Sequence, residues 1–81
     1  MRHKLRELRL ELGLTQSQMA RLMGTTKEYY GLIENGKRVG TVPNWIRLQR
    51  GLSRKFKPIN NGEMFEYIKE GVKFERKNKV C

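Results

Sequence analysis

The sequence predicts an all-α fold, a compact bundle of four to five short helices. Three observations predict it. Apolar residues recur at three- and four-residue spacing along most of the chain, the period of a helix with one buried face. Each such stretch is short and closes at a glycine or an Asn-Gly pair, residues that end helices by accepting positive φ. The length of 81 residues allows one small core, around which short elements must share their apolar faces.

The elements follow in order. Leu5, Leu8 and Leu12 stand at i, i+3 and i+7 among charged neighbours, giving a first helix over Lys4–Leu12 that Gly13 stops. Thr15 offers a hydroxyl cap to a second helix, Thr15–Met23, with Met19, Ala20 and Met23 inward and Gly24 at its end. Thr26 caps a third, Lys27–Glu34, with Tyr30 and Ile33 inward; Asn35 and Gly36, which both tolerate positive φ, close it. Pro43 suits the first turn of a fourth helix, where Trp45, Leu48 and Leu52 supply core positions and Gly51 sits inside or at the end. Ser53–Pro58 is basic and proline-interrupted and reads as a connector. From Asn60 two readings stand. Asn60 or Asn61 caps a helix through Met64, Phe65, Tyr67 and Ile68 to Gly71, or Asn60-Asn61-Gly62 turns a β-hairpin; the helix is preferred. Val72–Cys81 is mostly charge and reads as a disordered tail or an extended arm. Residues 1–58 are thus expected to form the main domain and residues 59–81 a C-terminal segment available for dimerisation.

Charge narrows the function. Lys and Arg number 18 against 8 acidic residues, all of them Glu, for a formal charge of +10. The excess is +4 up to Gly40 and +6 beyond it, so it belongs to the whole chain, and a polyanion is the natural partner. No apolar run approaches the roughly 20 residues of a membrane span, and the opening MRHKLRELRLELG has no continuous apolar stretch of a secretory signal. A cytoplasmic location is expected. The single cysteine, Cys81, allows neither an internal disulfide nor a cysteine-based zinc cluster. With no Asp, no phosphate-binding glycine loop and one histidine, His3, expected to be exposed in a mobile N-terminal segment, no catalytic residue, cofactor or metal is expected.

Two short helices joined by a tight Gly-containing turn and preceded by a third form the arrangement that presents a helix to the major groove. The wording is more specific than the spacing: Gly13-Leu14-Thr15-Gln16, then Met19-Ala20, then Gly24-Thr25-Thr26, then Ile33-Glu34-Asn35-Gly36-Lys37-Arg38. Over about Leu5–Leu52 the chain resembles the lambda-repressor-like helix-turn-helix family, the Cro-and-repressor type also called XRE-like, and in Val39–Trp45 its short phage and mobile-element members. Ala20 falls where the second and third helices cross, and Gly24 permits the sharp turn between them. Tyr30 stands where relatives carry a smaller aliphatic residue, and Leu32 where many carry a polar one.

The resemblance implies a sequence-specific DNA-binding transcriptional regulator, a repressor or autorepressor. Base contacts fall to the outward residues Lys27, Glu28, Tyr29 and Leu32: Lys can donate to guanine, Glu can accept from cytosine, and Leu32 either touches a thymine methyl or makes no direct readout. Tyr29 either stacks on the backbone or covers the surface. DNA backbone contacts fall to Gln16, Thr26, Lys37 and Arg38, Gln16 lying at a helix N-terminus where free N–H groups favour an anion. The partner is double-stranded DNA. A homodimer on a pseudo-palindromic operator is expected, because one helix of about two turns reads only a few base pairs. Action on the nucleoid or in an infected host cell follows. Two other readings use the same fold: an antitoxin or protein inhibitor with a protein partner on residues 60–81, and an RNA-binding module.

Overall fold

Four hydroxyl or amide side chains set where the helices begin in the computed structural model, which describes residues 1–71. The side chains of Thr15, Thr26, Thr41 and Asn60 each accept the N–H three residues on, at Gln18, Tyr29, Asn44 and Glu63. Gln18, Asn44 and Glu63 return a bond to the cap's own N–H, so three of these starts are reciprocal capping boxes. The resulting elements are α1 (His3–Glu11), α2 (Gln16–Met23), α3 (Lys27–Glu34), α4 (Val42–Lys55) and α5 (Asn61–Glu70). No strand occurs among the described residues.

Helix ends follow from backbone geometry. Beyond α2, Gly24 adopts φ 81° while the Thr25 N–H bonds Ala20 O and the Gly24 N–H bonds Arg21 O, the double closure that consumes carbonyls a helix end leaves free. The same pair of bonds closes α1 at Gly13 and Leu14, and α3 at Gly36 and Lys37.

Several sequence expectations are corrected. The hairpin alternative is replaced by α5, because Asn60 and Glu63 cap a helix whose Met64 and Tyr67 turn inward. Ser53–Lys55 belong to α4 rather than to a connector; the Ser53 hydroxyl accepts the Ile59 N–H at 3.0 Å and thereby fixes the turn that follows. Asn35 remains right-handed at φ −76° and leaves positive φ to Gly36 alone. His3 is exposed as expected, and it opens α1 rather than preceding the first helix. The expected tail Val72–Cys81 lies outside the described residues.

The core joins all five helices: Leu5 and Leu8, Met19, Ala20 and Met23, Tyr30 and Ile33, Trp45, Leu48 and Leu52, then Ile59, Met64 and Tyr67. α2 is central, packed on both α3 and α4, while α5 lies against α1. Trp45 is core, as its spacing predicts, and its indole N–H donates to Val39 O at 2.7 Å, pinning the loop between α3 and α4.

Arg2 holds the N-terminus in place. Its side chain is fully buried, and it donates to Tyr67 O at 2.9 Å, Ile68 O at 3.0 Å, Arg38 O at 2.9 Å and Ile33 O. Its backbone N–H donates to Glu34 O at 2.8 Å. One guanidinium thus serves the carbonyl ends of α3 and α5, where the helix dipole favours a cation. Burial pulls the Arg2 pKa down, partly offset by Glu70.

Candidate nucleic-acid interface

The orientation of α3 rests on one buried carboxylate. Glu34, in its last turn, is 1% exposed and accepts from Arg9 Nε at 2.9 Å, Arg9 Nη2 at 3.2 Å, Tyr30 Oη at 2.9 Å and Gln16 Nε2 at 3.2 Å. Arg9 also donates to Leu14 O at 3.0 Å, in the turn before α2. Three helices therefore meet on a single charge. Burial pushes the Glu34 carboxyl up, but the hydrogen bonds from Arg9, Tyr30 and Gln16 outweigh it and hold the group below the usual carboxylate range. The same bond raises Arg9. Burial, reinforced by the Glu34 charge, drives the Tyr30 hydroxyl well above the ordinary tyrosine value.

With Tyr30, Ile33 and Glu34 turned inward, the opposite face of α3 is dictated. Lys27 and Glu28 are exposed in its first turn, with Thr26 exposed just before them. Gly31 follows Lys27 by one turn and Leu32 follows Glu28, so these four line one outward strip. Gly31 is the unexpected member. Glycine inside a helix is less favourable than alanine by about 1 kcal/mol, and here no neighbour forbids a side chain, because the nearest atom to an added Cβ is Gln16 Oε1 at 4.0 Å. The missing Cβ lets another backbone or a ligand come close to the helix.

A helix-turn-helix family model matches residues 5–52, which span α1 to most of α4. The chain belongs to the lambda-repressor-like helix-turn-helix family. No match was found among curated proteins or among solved structures. The family is one of DNA-binding transcription regulators, typically without catalytic activity, and no helix among the described residues is long and apolar enough to cross a membrane.

Against the helix-turn-helix pattern the predicted site residues divide into groups. Lys27, Glu28, Thr26, Lys37 and Arg38 are all exposed. Thr26 uses its hydroxyl to cap α3, and Lys37 and Arg38 follow immediately after the Gly36 closure. Leu32 is half-buried. Tyr29 does not turn fully outward: it is half-buried and packs against the core, which leaves one part of the ring accessible. Gln16 is half-buried, with one amide N–H given to Glu34. Arg2, Arg9, Glu34 and Gly31 escaped the sequence reading. Glu34 and Arg9 resemble ordinary surface charges in a chain this polar, and only their three-dimensional meeting distinguishes them. Gly31 did carry a signal, a glycine in the middle of an eight-residue helix.

Proposed function

We propose that this protein is a sequence-specific repressor that binds a pseudo-palindromic operator as a homodimer and controls its own or neighbouring genes. The observation that carries the reading is the outward strip of α3, exposed at Lys27 and Glu28, half-buried at Gly31 and Leu32, and tied to α1 and α2 by the buried Glu34 cluster. In this account Lys27 donates to guanine O6 or N7, Glu28 accepts from cytosine N4, Leu32 offers its side chain to a thymine methyl, and the free part of Tyr29 touches the adjoining sugar. Gly31 lets the helix seat deeply between them.

Phosphates hold the register. An amide carries two N–H donors, so Gln16 keeps one for a phosphate at the N-terminus of α2, whose own first turn has no acidic residue and where the nearby Glu34 charge is already paired with Arg9. Thr26, Lys37 and Arg38 contact the backbone on either side of α3. The second copy joins through the C-terminal segment: Phe65 of α5, 58% exposed, lines an uncharged groove with Val42 and Ile46 of α4. Such a face lets two strongly cationic chains meet. The protein acts in the cytoplasm, on the nucleoid or in an infected host cell.

Selection of binding sites from random duplexes tests the reading. The expected product is a two-fold symmetric sequence with half-sites about one helical turn, roughly 10 base pairs, apart. Retention of random RNA as tightly as the enriched duplex, or no enrichment at all, would count against it.

A further inference from the structure

The cations of this chain are unevenly placed. Arg47, Arg50 and Arg54 of α4 follow one another at spacings of three and four, so they share one face of the helix, with Lys55 at its edge. Like charges at these spacings weaken a helix, although Arg54 and Lys55 stand in its last turn, where the helix dipole favours a cation. Gly51 lies on the same face, and there α4 comes close to α2: a Cβ on Gly51 would stand 3.0 Å from Leu22 Cδ2. A groove opens along this junction. Its floor is Leu14 and Leu22, Phe56 stands at its edge 43% exposed, and Arg21 of α2 faces the α4 cations across it.

All five cations are exposed, no carboxylate lines the groove, and none of the five forms an ion pair among the described residues. Arg47 is partly committed, since its side chain lies over Gly24 at the carbonyl end of α2. The groove is also separate from the α3 strip. Gln16 of α2 turns toward Glu34 of α3, whereas Leu22 turns toward Gly51 of α4, so the two surfaces flank α2 on different sides.

We infer that this groove is a docking site for an acidic, amphipathic polypeptide segment of a partner protein. Its apolar side chains cover Leu14, Leu22 and Phe56 while its carboxylates meet the cations on both walls, a cation-rimmed apolar groove being suited to such a helix. Duplex DNA offers phosphates but no apolar face, and would leave the floor wet. A second copy of this chain, at +10, is repelled by the walls. The groove serves such a partner whether or not α3 reads DNA.

The test is an anisotropy titration of the full chain against a labelled model peptide of about 16 residues with Leu and Glu at helical spacing. A scrambled peptide of the same composition and polyglutamate of equal charge serve as controls, with random duplex DNA measured in parallel. The amphipathic peptide is expected to bind at least about tenfold more tightly than either control, and Arg50→Glu with Arg54→Glu to erase that preference while random-duplex affinity falls much less. Arg50→Gln with Arg54→Gln, which leaves α4 less perturbed, should move the peptide in the same direction, with helicity checked by circular dichroism. Equal binding of scrambled peptide or polyglutamate overturns the inference. So does an equal loss of duplex affinity in the double variants, which would assign these arginines to phosphate.

Discussion

Two buried ionic side chains, Glu34 and Arg2, decide more of this structure than their number suggests. Removing one partner of a buried ion pair leaves the other uncompensated, at a cost on the order of 3–5 kcal/mol. Glu34→Gln should therefore lower stability by roughly 3 kcal/mol, whereas Arg9→Met with Glu34→Leu should cost much less than the two single changes together. Because the folded Glu34 carboxyl is held below its usual range, its contribution is complete above the unfolded value of about 4.3. It declines as the pH falls from there through the folded value, since the unfolded chain takes up a proton that the folded one refuses. Denaturant midpoints recorded from neutral to acid pH should show this loss, and the slope should shrink in Glu34→Gln; an unchanged slope would place the acid sensitivity elsewhere. For Arg2, Arg2→Lys should rescue little of the stability lost in Arg2→Met. A single ammonium cannot reproduce the planar fork that serves four carbonyls at once, and a Lys variant with nearly native thermal stability would contradict that role.

At the level of the element, caps and glycines carry most of what the sequence declares. Thr15, Thr26 and Pro43 announce the starts of α2, α3 and α4, and Gly13, Gly24 and Gly36 mark ends, because these residues act through backbone groups only a few positions away. Thr41 as cap of α4 and the helical state of Ser53–Lys55 were less legible: the Ser53 hydroxyl receives its bond from Ile59 across the turn, a partner that periodicity does not reveal. The half-buried state of Tyr29 was hidden for the same reason, since its packing depends on the core rather than on α3 alone. Gly31 offers the element-scale test. Gly31→Ala should raise the stability of the free protein by about 0.5–1 kcal/mol, as the helix interior favours alanine, and should weaken operator binding if DNA approaches α3 where the Cβ is missing. Thermal melts and gel-shift titrations of the same preparation separate the two effects. Greater stability with unchanged affinity would remove Gly31 from the interface.

On the scale of the whole molecule, the proposals divide three surfaces of one small core: the α3 strip for bases, the uncharged α4–α5 groove for a second copy, and the basic α2–α4 groove for an acidic partner. α5 could not be assigned its place from sequence, because its packing against α1 and the Arg2 bonds to Tyr67 and Ile68 join residues more than 60 positions apart. Lys27 and Glu28 are proposed to read bases, and Lys37 only to position the duplex. A panel of single-base operator variants, titrated at fixed salt against Lys27→Ala, Glu28→Ala and Lys37→Ala, tests this division most directly. Each of the first two should relax discrimination at one symmetric pair of operator positions by about 1–3 kcal/mol. Lys37→Ala should weaken every duplex by a similar factor and leave the order of preference intact. Preferences unchanged in both the Lys27 and Glu28 variants would contradict the account and move the reading surface off the outward strip of α3.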